Sequence, residues 1–323
     1  MPPSDSSPDP LSLLTLLTRA RAFDAPAEAF AREGPPLVPP GERVGTSPCV
    51  SCGREAVGTY CTWCGERRPE ARHYTIRGFA EEAFESLSDV DGRLLRSLRT
   101  LFNRPGELTV RYMRGERVRW VPPLRLFLLM NIVFFVLAHR FHIRVFDTPL
   151  HVQMTMQWYS KGITPIVHAH LAGTGLTMTQ YAREFDGRTT TLARSLVIVM
   201  VPVFALVAAL VNARQRRPAL HHLTFALHTY AALLGLLVGT WAAIYLGVVG
   251  YWLVTGRELV LRDGPFSLIQ AVAVLAFVAV AQRVAYGDSR GVAIAKATIL
   301  VLAMGLIVQA YRPGLFFVTL WSS

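Results

Sequence analysis

Apolar residues are scattered through the first third of the chain and gather into long runs after Trp120. A helix needs roughly 20 apolar residues to cross the hydrocarbon core of a bilayer. Five runs fit: residues 120–138, 192–211, 230–254, 266–282 and 292–311. The third could begin earlier, near Leu223, and the fourth is short. Phe316 to Trp321 is too brief to span and reads as an interfacial segment. The stretch 139–191 between the first two runs reads as an external loop.

Ahead of the first run the apolar spacing becomes that of amphipathic helices. Ile76, Phe79, Ala80, Ala83, Phe84 and Leu87 share one face, with Thr75 placed to cap it. A second helix opens at Asp91. It carries Leu94, Leu95, Leu98, Leu101 and Phe102 on one side and Arg93, Arg96, Arg99 and Thr100 on the others, and Asn103-Arg104-Pro105-Gly106 stops it. A third, Glu107 to Met113, leads through Arg114-Gly115-Glu116-Arg117 to Trp120. Residues 73–119 therefore form a basic juxtamembrane neck. It can lie among head groups or pack its apolar side on the bundle. Residues 1–47, rich in proline and ending in a Pro35–Pro40 linker, read as disordered apart from a short helix near Leu11–Phe23.

Composition supports the membrane reading, with 52% apolar residues and a mean hydropathy of +0.34. The net charge of +11 raises the question of nucleic acid, and its location answers it. Residues 1–92 hold 9 basic and 14 acidic side chains, whereas residues 93–119 hold 8 arginines against Glu107 and Glu116. Residues 120–323 hold 16 basic and 6 acidic side chains. The positive excess sits where anionic lipid head groups would meet it. An acidic head is a poor start for a nucleic-acid binder.

All four cysteines fall in one short stretch, as Cys49-x-x-Cys52-Gly53 and Cys61-x-x-Cys64-Gly65. A tight turn can point two thiolates at one ion, with the glycine supplying the positive φ of the knuckle. Two facing knuckles over residues 48–70 make a four-sulfur tetrahedral site, and zinc is the metal that pattern indicates. Iron in a rubredoxin-like site, a redox dithiol and paired disulfides are the alternatives. Disulfides need an oxidising compartment. Leu11–Leu17 lacks the basic region of a secretory leader, so the thiols are expected in the cytosol. Basic and acidic residues balance across Cys49–Glu70, which disfavours phosphate binding. Tyr60 and Trp63 either pack over the metal site or offer a contact to a cytosolic protein partner.

Polar residues inside spans are functional candidates. They are Asn131, Gln270, Lys296, Gln309 and, near a helix start, His221 and His228. Lys296 is placed to snorkel, and Asn131 and Gln270 to bond between helices. The histidines are read as interfacial, with a metal or proton-relay site as the sharper reading. His151, His168 and His170 in the external loop lack a carboxylate or thiol partner in sequence. There is no Gly-x-Ser-x-Gly elbow, phosphate-binding loop or His-Glu-x-x-His.

The paired Cys-x-x-Cys-Gly knuckles, the helix with Asp91, Leu94, Leu95, Leu98, Thr100 and Leu101, the Arg104-Pro105-Gly106 stop, Tyr112-x-x-Gly115-x-Arg117, and the aromatic before Pro122-Pro123-Leu124-Arg125 form a series. It resembles the bacterial membrane family known as domain of unknown function 3667, over about residues 48–138. His221-His222-Leu223-x-Phe225-Ala226-Leu227-His228 resembles it more weakly. The resemblance implies a multi-span protein with a zinc-ribbon head and brings no activity with it. The expected architecture is an all-α polytopic membrane protein of about five helices, its bundle covering residues 120–323, with a four-cysteine ribbon on the cytosolic side of the inner membrane. The expected role is a non-enzymatic interaction or regulatory module. The alternative is a transporter or channel for a solute, with the ribbon as regulatory domain.

Overall fold

The computed structural model describes residues 47–67, 75, 92–141, 146–257 and 263–322. The predicted amino-terminal segment and the helix through Ile76–Leu87 lie outside them. The described elements begin with two short strands, β1 (Ser47–Pro48) and β2 (Glu55–Ala56), paired antiparallel. The neck follows as α1 (Arg93–Asn103) and α2 (Glu107–Met113). The rest is α3 (Pro123–Arg140), α4 (Leu150–Thr155), α5 (Ser160–Thr174), α6 (Met178–Val211), α7 (Ala219–Thr255), α8 (Asp263–Tyr286) and α9 (Arg290–Ser322).

Four helices are long and apolar enough to cross a membrane: α3, α7, α8 from Phe266, and α9. A fifth candidate is α6, which bends by 47° between Arg194 and Leu196. The chain is thus an all-α polytopic membrane protein with a four-cysteine ribbon ahead of the bundle. Leu210, Leu246, Leu253, Val254, Leu302 and Leu306 stand exposed along these helices. Such side chains are costly in water and at home in lipid.

One apolar core joins α3, α6, α7, α8, α9 and the neck, and α7 is its axis. From Leu220 to Leu237 α7 is mostly buried, with α3, α6 and α8 packed along it, while its last turns are exposed. A second, smaller core lies at the far end. Leu150, Ile163, Val167, Tyr181, Phe185, Phe316 and Leu320 bring α4, α5, the start of α6 and the end of α9 together. Two sequence readings change here. The stretch 139–191 is largely helical rather than a plain loop, because Ile163, Val167, Tyr181 and Phe185 are spaced for helices that bury one side. Phe316–Trp321 is the last part of α9, since Phe316 and Leu320 complete that core.

The neck is built into the bundle rather than standing clear of it. α2 buries Leu108, Thr109, Tyr112 and Met113 and contacts α7 and α8. Gly106 starts α2 at φ +86°, and a Cβ there would lie 2.6 Å from the Ala281 carbonyl oxygen of α8. The Pro-Gly stop is therefore also the point of closest approach between neck and span. The ring of Phe102 sits in the notch that Gly235 leaves in α7. α1 does not present the clean apolar face its sequence suggests. Leu101 is buried and Leu94 and Leu98 pack on the core, but Leu95 faces out while Ser97 is buried. The Ser97 hydroxyl accepts the Val121 N–H at 3.0 Å, which orders the approach to α3.

Candidate metal centre and its mount

The two knuckles are successive tight hairpins. In the first, the Gly53 N–H donates to the Cys49 carbonyl at 2.8 Å and the Cys49 N–H to the Arg54 carbonyl at 2.8 Å. In the second, Gly65 N–H donates to Cys61 at 2.9 Å and Cys61 N–H to Glu66 at 2.8 Å. Gly53 and Gly65 hold φ of +73° and +72°, the left-handed conformation that closes each turn. β1–β2 pairing backs the first knuckle, and a Tyr60–Arg67 bridge backs the second.

The result is that all four Sγ atoms lie within 4.8 Å of one another. Cys49 to Cys64 is 3.5 Å and Cys52 to Cys61 is 3.7 Å. A tetrahedral ion with metal–sulfur bonds of about 2.3 Å needs sulfur–sulfur edges of about 3.8 Å, so the cluster fits a metal ion. The same distances are far from a disulfide's covalent length, and the four cysteines are free. The N–H groups of Cys64 and Trp63 point at the Cys61 sulfur and pull its thiol down to about 6, whereas burial pushes the Cys49 thiol up. Backbone N–H groups aimed at sulfur favour the thiolate, which is the ligating form.

Sequence reasoning missed Glu66, the residue that mounts this head. It directly follows the second knuckle and is 2% exposed. One carboxylate oxygen accepts Ser51 Oγ at 2.6 Å and the backbone N–H groups of Arg117 and Val118, each at 3.1 Å. One carboxylate thus ties the ribbon to the elbow between neck and first span. The elbow has its own brace. Arg111 donates through Nε to Glu107 at 2.7 Å and through Nη1 to Glu116 at 3.0 Å, and its guanidinium stacks over Trp120. Burial works against the Arg111 charge, but the two carboxylates more than offset it and hold its pKa above the ordinary value. The Trp120 Nε1–H also reaches Glu116, at 3.4 Å.

Tyr60 and Trp63 do not pack over the sulfurs. They are 56% and 68% exposed, with Arg67 near the tyrosine ring and Arg54 3.5 Å from the tryptophan centroid. Both therefore stand on the ribbon's surface.

The membrane polar residues divide into three sets. The histidines are buried within the protein, where the neck and neighbouring helices pack round α7. His228 Nδ1 is 2.9 Å from Thr109 Oγ1 of the neck, and His222 Nδ1 is 2.8 Å from Tyr286 OH. His221 packs edge-on to the same Tyr286 ring. His221 and His222 share Tyr286 while His228 faces the neck, and the three assemble no metal cluster among the described residues. Asn131 and Gln270 are buried, yet Asn131 Nδ2 and both amide atoms of Gln270 have no hydrogen-bond partner, so the expected bonds between helices are not made there. Lys296 reaches back to the turn before α9. Its ammonium donates to both oxygens of Asp288 at 2.9 Å and to Asn212 Oδ1 at 3.0 Å. Gln282 Nε2 donates to Asn212 at 2.6 Å and to Asp288 at 3.0 Å, which closes a polar knot across α6, α8 and α9.

Residues 91–135 match the model of a family described as protein of unknown function (DUF3667). No curated protein and no solved structure matches the chain. The matched stretch runs from the approach to α1 through the brace and elbow into α3, which is the part of the fold that carries the ribbon. Across its neck and first span, residues 91–135, the chain is thus similar to that family of unknown function.

Proposed function

We propose that the chain is a non-enzymatic module of the bacterial inner membrane, its amino-terminal side in the cytosol. A zinc-loaded ribbon is mounted there on the neck and presents Tyr60 and Trp63 to a protein partner. Zinc suits four thiolates at tetrahedral spacing. Bound by Cys49, Cys52, Cys61 and Cys64, it would supply folding energy to a head too small for a core of its own. A site closed by four protein ligands leaves no position for water or substrate, so its role is structural. Arg96, Arg99, Arg104, Arg114 and Arg119 are exposed along the neck, on the side where anionic head groups would meet them.

The observation that carries this reading is the ribbon's two-sidedness. One side is fixed by Glu66, and the other shows two aromatics with arginines beside them. Tyrosine, tryptophan and arginine are the residue types on which interface energy concentrates. The test is quantitative co-purification from membranes with the full-length protein and its Tyr60→Ala, Trp63→Ala form, both assayed for metal. The reading expects equal metal content and loss of a specific co-purifying protein from the double variant. Equal capture by both forms counts against it.

A further inference from the structure

The far-end layer made by α4 and α5 is poor in charge. Between Asp147 and Arg183 the chain carries one charged side chain, Lys161, in 35 residues. Surfaces that face water are about a quarter to a third charged. The layer's exposed large hydrophobics are Met156 (77%), Trp158 (73%), Ile166, Leu176 and Met178, beside the exposed polar side chains of His151, Thr155, Lys161, His168 and the 174–180 stretch. Met156 and Trp158 form the turn between α4 and α5, and their neighbours Leu150 and Ile163 are already spent in the small core.

The position of that turn agrees with its composition. Gln157 accepts a bond from Arg312 Nη1 at 3.4 Å, which fixes the turn beside α9. From Lys296, in the polar knot at the ribbon end, α9 rises about 24 Å to Arg312. A hydrocarbon core of about 30 Å that begins near the knot would end close to this turn.

We infer that α4 and α5 are an interfacial element, seated in the far leaflet with Met156 and Trp158 directed into the boundary between head groups and acyl chains. The partner of this surface is the lipid itself. An indole with one apolar side and one N–H donor favours that depth.

The test uses the full-length protein in phosphatidylcholine vesicles. The fluorescence of the Trp158→Phe form is subtracted from that of the native protein, which isolates Trp158 while leaving the other tryptophans in place. The inference expects the Trp158 component to lose most of its intensity with lipids brominated near the carbonyl end of the chain. It should lose less with lipids brominated near the chain terminus and little with aqueous iodide. Strong iodide quenching without lipid quenching would place the turn in water and overturn the inference. Shielding from both quenchers would mean that protein covers the turn, and would overturn it equally.

Discussion

Gly106 concentrates the case that the neck is part of the bundle. An alanine there must hold φ +86° and place its Cβ 2.6 Å from the Ala281 oxygen and 3.0 Å from the Ala281 Cα and Val284 Cβ. The left-handed conformation costs a side-chain-bearing residue about 1–2 kcal/mol. Two of the three neighbours are backbone atoms of α8 and cannot rotate away, so the overlap adds about 1–3 kcal/mol. Gly106→Ala is thus expected to lose about 2–5 kcal/mol. Gly256 at the end of α7 is the matched control, with φ +65° and no atom within 4 Å of an added Cβ. Gly256→Ala carries the conformational part alone, about 1–2 kcal/mol. The assay is unfolding of the purified protein in detergent, with amide hydrogen exchange over residues 104–116 to locate the effect. If Gly106→Ala costs no more than Gly256→Ala and exchange across α2 is unchanged, the neck does not press on α8 and the reasoning fails.

Other expectations follow from the same contacts. Gly235→Ala would drive a Cβ into the Phe102 ring and the Met130 side chain, so it should destabilise by about 1–3 kcal/mol, with Phe102→Ala restoring part of the loss in the double variant. Asp288→Asn and Lys296→Met each leave a charge in the polar knot, where the side chains are 8% and 18% exposed. Each should cost about 3 kcal/mol, and a double-mutant cycle should give much less than the sum. Thr109→Val removes the neck's bond to His228, and should cost about 1–3 kcal/mol with faster exchange in α2.

What the sequence makes legible follows from local rules. Thiolate spacing and the knuckle glycines need only a few residues to declare themselves, and the cluster closes as those residues dictate. Apolar runs announce spans for the same reason, and α3, α6, α7, α8 and α9 cover the predicted segments. The third short helix, Glu107–Met113, follows from its stop signals. Contacts between distant segments are what sequence hides. Glu66 looks like one of several charges that balance the ribbon, and only its approach to Arg117 and Val118 makes it a mount. Lys296 pairs with Asp288, which lies in the turn before α9 and outside the apolar runs. The far-end layer escaped because α4 and α5 are short and carry a single charge, Lys161, so neither the length rule for spans nor the charge pattern of a surface helix picks them out.

The central claim is that a metal-held ribbon, acting through Glu66, fixes the elbow between neck and first span. Its most direct test is amide hydrogen exchange at Arg117 and Val118 in the full-length protein, with bound metal measured alongside. The account predicts one zinc ion per chain and slow exchange at both amides. Exchange should speed up on chelation, and to the same extent in a Glu66→Ala form that keeps its metal. Protection of Arg117 and Val118 that survives both metal removal and loss of the Glu66 carboxylate would contradict it.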